Sequence, residues 1–229
     1  MTKHLQYEAS IRSKDIGKDI EGFQRRSSQA FEAWRDIRME GSTTISNPSS
    51  AQRLAKQNWI AADAKMQQKA SQGGGVGFGT ARVIHRLLTN GEADVNSPGE
   101  VRSGVVRSST ALLLYPTPNS DLHAKADSYG RWLNQEVAAC ERGEKSVILT
   151  AAQAYQRLVA INPFQGGNGR ISRFMMDYVL ERFGLPPAAL GKDVLDAVFA
   201  LNQKSPTAGE EFVRKVYEGV QTSHKFITR

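Results

Sequence analysis

Two arginines three residues apart, Arg170 and Arg173, follow the run Gly166-Gly167-Asn168-Gly169. The run lies between two apolar helical stretches, Val147 to Ile161 and Ile171 to Phe183. A glycine-rich loop that opens straight into a helix aims free backbone N–H groups and the positive end of the helix dipole at one point. That is the physics of an anion site. Arginines at i and i+3 fall on one helix face, so both guanidinium groups are expected to reach the same anion. The plain alternative is an ordinary helix start whose arginines are solvated or salt-bridged. Upstream, Asn162 precedes Pro163 and is therefore pushed out of the α region, which ends the first helix there.

Read as a unit, Asn162-Pro163-Phe164-Gln165-Gly166-Gly167-Asn168-Gly169-Arg170-Ile171-Ser172-Arg173 resembles the signature of the Fic family, His-Pro-Phe-x-(Asp/Glu)-Gly-Asn-Gly-Arg-x-x-Arg. Pro163, Phe164, Gly167, Asn168, Gly169, Arg170 and Arg173 match in type and spacing. The resemblance implies a nucleotide site, usually for ATP, whose members mostly transfer AMP to a hydroxyl of a target protein. It implies that Gly166 to Gly169 line the phosphates, with a side-chain contact from Asn168. Arg170 and Arg173 would hold the outer phosphates and offset charge on the leaving pyrophosphate. Phe164 would anchor the loop in the core.

Two positions depart from the signature. Asn162 stands where the family has its histidine, the group that takes the proton from the attacking hydroxyl. A carboxamide has no basic site for that task, and losing a general base costs on the order of 10²–10⁴-fold in rate. Gly166 stands where the family has an acid that holds Mg²⁺, so the metal is weakened and no metal ligand is assigned. The expected function is a Fic-type AMP transferase whose turnover is impaired as the chain is written. The alternative is an inactive module that binds a nucleotide or other anion and a protein partner. No tightly bound cofactor is expected beyond ATP as substrate. The family's inhibitory pattern, (Ser/Thr)-x-x-x-Glu-(Gly/Asn), has no clean copy. Thr207 to Glu211 comes nearest but is followed by Phe212, which leaves room for a separate inhibitor chain.

Positioning this loop falls to a mainly α body. Ile20, Phe23, Phe31, Trp34 and Ile37 predict a helix over about 18–38, and Leu54, Trp59, Ile60 and Met66 another over 50–70. Five glycines between Gln72 and Gly79 read as a hinge or mobile loop, without the Lys-Ser/Thr ending of a phosphate loop. A helix over 80–89 follows, in which His85 reads as packing or surface. From Asn96 to Pro118, β-branched residues bounded by Pro and Gly predict one short hairpin. By resemblance it begins at the Gly99-x-x-Arg102 segment and is the flap that holds a target segment by strand addition, with Arg102, Val105 and Val106 as its contacts. Helices are expected over 119–136, 150–161, 193–202 and 207–222. Residues 1–96 read as a helical region, either a regulatory arm or part of the body. Residues 97–190 read as the Fic-like core, and 191–229 as helices completing it.

Composition narrows the partners. A net charge of +7 favours anionic ligands, while the scatter of basic residues without interleaved aromatics argues against nucleic acid. Cys140 is the only cysteine, which excludes an internal disulfide and fits a reducing compartment; the resemblance implies bacterial cytoplasm, or host cytosol for a secreted effector. No apolar run reaches membrane-span length. The four histidines show no metal-ligand spacing.

Overall fold

The computed structural model describes residues 2–40, 50–93, 95–104, 119–191 and 208–229. Among these, every regular element is helical: α1 (Thr2–Ile11), α2 (Ile16–Arg26), α3 (Ser28–Glu40), α4 (Ala51–Gln72), α5 (Phe78–Leu88), α6 (Leu122–Glu141, entered by a 3-10 turn), α7 (Val147–Ile161), α8 (Asn168–Arg182) and α9 (Ala208–Thr228). The centre is the α7–α8 pair, joined by the 162–167 loop, with α4, α5, α6 and α9 packed around it.

α7 forms because an apolar stretch without Gly or Pro is capped at both ends. Ser146 is its N-cap, its hydroxyl accepting from the Leu149 N–H at 3.2 Å. Glu8, on α1 and 0% exposed, accepts from the N–H groups of Val147 at 3.2 Å and Ile148 at 3.1 Å. A carboxylate here satisfies orphan donors and meets the positive end of the helix. α7 then buries Ala151, Ala154, Tyr155 and Leu158 before stopping at Asn162. α8 is buried on all sides from Ile171 to Glu181, which is why this short helix can carry the site rigidly. Each large apolar side chain interred there, such as Phe174 or Met175, adds about 1.5–3 kcal/mol.

Inside this apolar body sits a charged knot. Arg38 of α3, fully buried, forks onto Asp63 of α4 (2.8 and 3.2 Å) and reaches Asp177 of α8 at 3.0 Å. Trp34 and Trp59 flank its guanidinium at 4.8 and 5.8 Å. Burial pulls the Arg38 pKa down, but Asp63 and Asp177 more than offset it, so the guanidinium stays charged. Asp177 also accepts from the Ala188 N–H at 3.1 Å, and burial pushes its carboxyl up. Glu181, one turn further along α8, is buried with neither carboxyl oxygen partnered, and burial pushes its pKa well above the carboxylate range.

Three expectations change. The helix over 18–38 is two helices, broken at Ser27 (φ −153°, ψ 95°), whose hydroxyl caps α3 by accepting from Ala30 N–H at 3.2 Å. α1 is an additional helix that the sequence pattern did not mark, and its Ile11 joins the main core. The glycines of 72–79 form a packed connector. Val76 is fully buried and its N–H donates to Asn134 at 2.8 Å, while Tyr178 donates to the Gly74 carbonyl at 3.0 Å. Of the hairpin expected over 96–118, the described part, 96–104, forms turns and no strand, while residues 105–118, with Val105 and Val106, lie outside the described residues, as does the helix expected over 193–202. No helix among the described residues is long and apolar enough to cross a membrane.

Candidate anion site

The loop between α7 and α8 starts with a left-handed residue, Asn162 (φ 50°, ψ 58°), the one non-glycine with positive φ among the described residues. Asparagine tolerates this region better than most side chains, so the sequence suits the turn. The backbone of Asn162 is held from outside. Its carbonyl accepts from Nε of Arg102 at 2.8 Å, and the next carbonyl, of Pro163, accepts from the Arg102 N–H at 2.9 Å. Its side chain is buried with Nδ2 unpartnered. Phe164, also fully buried, then plugs the loop into the core.

The loop closes on itself through Asn168. That side chain accepts from the Phe164 N–H at 2.9 Å and donates to the Phe164 carbonyl at 2.8 Å. Asn168 is thus the clasp that brings Asn162 and the α8 start together, and its carboxamide is spent on that closure. Gly167 (φ 70°) is the N-cap of α8 and contributes no side chain. The first-turn N–H groups of any helix lack intrahelical acceptors, so here they are left for an external one. A Cβ at Gly167 would meet Thr89 Cγ2 at 3.0 Å and His85 Nε2 at 3.2 Å, whereas at Gly169, which is exposed, it would meet nothing within 4 Å.

The two arginines part company. Arg170, at the rim, is bidentate on Glu92 and also reaches the Leu88 carbonyl at 3.3 Å. Arg173 is 1% exposed and donates to the carbonyls of Arg38 and, at 2.9 Å, Leu190. Burial lowers its pKa. The i, i+3 spacing gives one helix face, but α8 is enclosed from Ile171 onward, so only Gly169 and Arg170 of its first turn reach the surface. Arg173 therefore fastens α8 to α3 and to the 184–191 segment.

His85 of α5 belongs to the site although its place on an apolar stripe with Ala81, Ile84 and Leu88 marked it as packing. It is 0% exposed and stacked on Phe164, with ring centroids 3.9 Å apart. Its Nε2 lies 2.8 Å from the Gly166 carbonyl, and its Nδ1 accepts from the Gly99 N–H at 2.9 Å. Burial pulls its pKa down to about 4, opposed by the bond to Gly166, with Arg170 lowering and Glu92 raising it further. Glu92 is the second residue the sequence did not mark; no periodicity or motif distinguishes it.

The residues present do not fit a resident Mg²⁺. Position 166 brings no carboxylate, Glu92 is taken by Arg170, and no group of three or more His, Cys, Asp and Glu among the described residues stands together to hold a metal.

Residues 79–180 match the Fic/DOC family. A uridine 5'-monophosphate transferase of Xanthomonas campestris pv. campestris is 32% identical over 169 residues, covering 71% of this chain and 31% of that protein. The protein adenylyltransferase Fic of Aedes aegypti is 35% identical over 109 residues, covering 48% of this chain and 20% of the relative. This chain thus spans about a third or less of these relatives' length. A solved Fic domain containing signaling protein from Bacteroides thetaiotaomicron superposes with a TM-score of 0.68 at 16% identity, over 98% of this chain and 97% of that one.

Proposed function

This chain belongs to the Fic/DOC family through its residues 79–180, and on that premise we propose that it binds an ATP- or UTP-class nucleotide at the start of α8 and is an impaired nucleotidyl transferase toward a protein hydroxyl. The observation that carries the reading is the pairing of a side-chain-free N-cap, Gly167, with Asn162 held in the base position by Arg102. The relatives named as adenylyl- and uridylyl-transferring enzymes support the reaction class.

In that reaction the target oxygen forms a bond to the α-phosphorus, the bond from that phosphorus to the β-phosphate bridging oxygen breaks, and pyrophosphate leaves. The α8 N-terminal N–H groups meet the phosphate charge, and Arg170 joins them by leaving Glu92. The hydroxyl proton has no base at Asn162 and passes to solvent, which makes the step slow. The target segment docks against the 105–118 stretch, beyond Arg102.

The test is label transfer from ATP and from UTP, with Mg²⁺, to candidate protein targets. We expect faint or no transfer by the chain as written and at least about a hundredfold gain in Asn162→His with Gly166→Glu. Absence of nucleotide binding in both forms sinks the proposal. The second reading, a binding module, is favoured by the unpartnered Nδ2 of Asn162, an amide donor suited to holding a ligand oxygen. Calorimetry separates the two. Metal-independent nucleotide binding, with no transfer even by the restored double variant, supports the module.

A further inference from the structure

The peptide between Gly166 and Gly167 lies at the mouth of the α8 N-terminus, and neither flanking residue has a Cβ. Such a peptide turns over without steric penalty. In a trans peptide the carbonyl and the N–H point opposite ways, so a turned-over unit would present an oxygen where a phosphate needs a donor. With glycine at position 166 in place of an acid, this chain has more of that freedom and more need of a lock.

His85 provides one whose chemistry is fixed by its partners. The Gly99 N–H is only a donor, so Nδ1 carries no proton. The Gly166 carbonyl is only an acceptor, so Nε2 carries one and donates it. The other tautomer would set donor against donor and acceptor against acceptor, and a ring rotated by 180° would put C–H groups where both nitrogens now lie and lose both bonds. Stacking on Phe164 and complete burial resist that rotation. The charged groups facing the ring are Arg170, from α8, and Glu92, from the turn after α5, and they pair with each other. Phe164 covers one face of the ring.

We propose that His85 is the positioning residue of the anion loop: with its proton on Nε2 it holds the Gly166 carbonyl to its own side, which turns the Gly167 N–H away from the ring as a donor for the phosphates. The inference rests on the nucleotide reading of this loop. Through Nδ1 the same ring also ties the Gly99 backbone to the loop.

The experiment uses two near-isosteric variants of the full chain with ATP as probe. In His85→Gln the amide nitrogen falls near Nε2 and still donates to Gly166. In His85→Asn the oxygen falls near Nδ1 and accepts from Gly99, but nothing reaches Gly166. Calorimetry is expected to leave His85→Gln within about threefold of the unaltered protein and to weaken His85→Asn about tenfold. Affinities that follow the two variants' melting temperatures instead, or that stay equal, overturn the proposal. Nitrogen-15 spectra of the unaltered protein supply a readout independent of nucleotide. They are expected to show a protonated Nε2 and a bare Nδ1 unchanged from neutral pH down to near 5, and a Gly167 amide resonance that moves in His85→Asn only. A protonated Nδ1, or a Gly167 resonance that ignores the variants, refutes the lock. If the lock is seen but ATP does not bind, the nucleotide reading falls and the positioning role stands.

Discussion

Two glycine-rich loops each open into a helix, and they use their glycines for different ends. In the 72–79 connector Gly73 and Gly75 lie where a Cβ would press on Arg182 (2.5 Å) and Asn134 (3.3 Å), and the chain packs onto α6. The backbone of Gly77 and Phe78 lies against Gly130 of α6 so tightly that a Cβ at 130 would come within 2.9 Å of the Phe78 nitrogen. Around 166–169 the missing side chains leave donors uncovered, with Gly169 open to solvent. Glycine density alone therefore says nothing about ligands. What distinguishes the loops is whether neighbouring helices have already claimed the backbone.

Single substitutions separate the two loops. Gly130→Ala is expected to cost about 3 kcal/mol, since the contact is with backbone that cannot rotate aside, and to leave nucleotide affinity of the folded fraction unchanged. Chemical denaturation and calorimetry on one preparation decide it; a well-tolerated alanine would mean the connector is loose after all. Gly167→Ala is expected to cost about 2 kcal/mol through its positive φ and its crowding of Thr89 and His85, and also to abolish ATP binding. If stability falls but binding persists, the α8 N-terminus is not the anion site.

α8 joins the two loops, beginning at Gly167 and ending where Tyr178 and Arg182 meet Gly73 and Gly74. Glu181, at that far end, holds its proton in the folded chain above the pH at which an unfolded glutamate ionises. The folded state then binds more protons, so stability declines as pH rises past the unfolded carboxylate range. Glu181→Gln is expected to gain about 1 kcal/mol at pH 7, with the gain shrinking as pH falls towards about 4.5 and absent below it, and to leave ATP binding alone. Thermal melts at pH 7 and pH 4 provide the check; a loss at pH 7 would show that the carboxylate is ionised and needed. The smallest effect sharpens the contrast most. Gly169→Ala has free space for its methyl and a helical position, so stability should rise by about 0.5 kcal/mol while ATP binds less well. Parallel movement of both quantities would erase the distinction between the loops.

The residues that carry local rules were legible in the sequence. Pro163 stopped α7 one residue early enough to place Asn162 in the turn, and the glycines around Asn168 announced the start of α8. What stayed hidden depends on distant partners. Arg173 looks like a surface cation until the Arg38 and Leu190 carbonyls close over it. His85 sits on a stripe of buried positions, and its bonds run to Gly166, 81 residues away, and Gly99, 14 away. Nothing in a local window reports either. The break at Ser27 was missed for the opposite reason: apolar spacing continues across α2 and α3, and only the serine's capping geometry interrupts it.

Glu8 has a practical consequence for anyone who trims or labels this protein. It belongs to the first helix, yet it seals the start of α7, a rod of 15 residues and about 22 Å whose other end carries Asn162. A protease nick after Arg12 or Lys14, or a shortened form that drops the opening dozen residues, would unseal that rod. The loss would register as fraying at one end and as a misplaced turn at the other. Expression and tagging strategies that spare residues 2–13 are therefore also strategies that preserve the turn at Asn162.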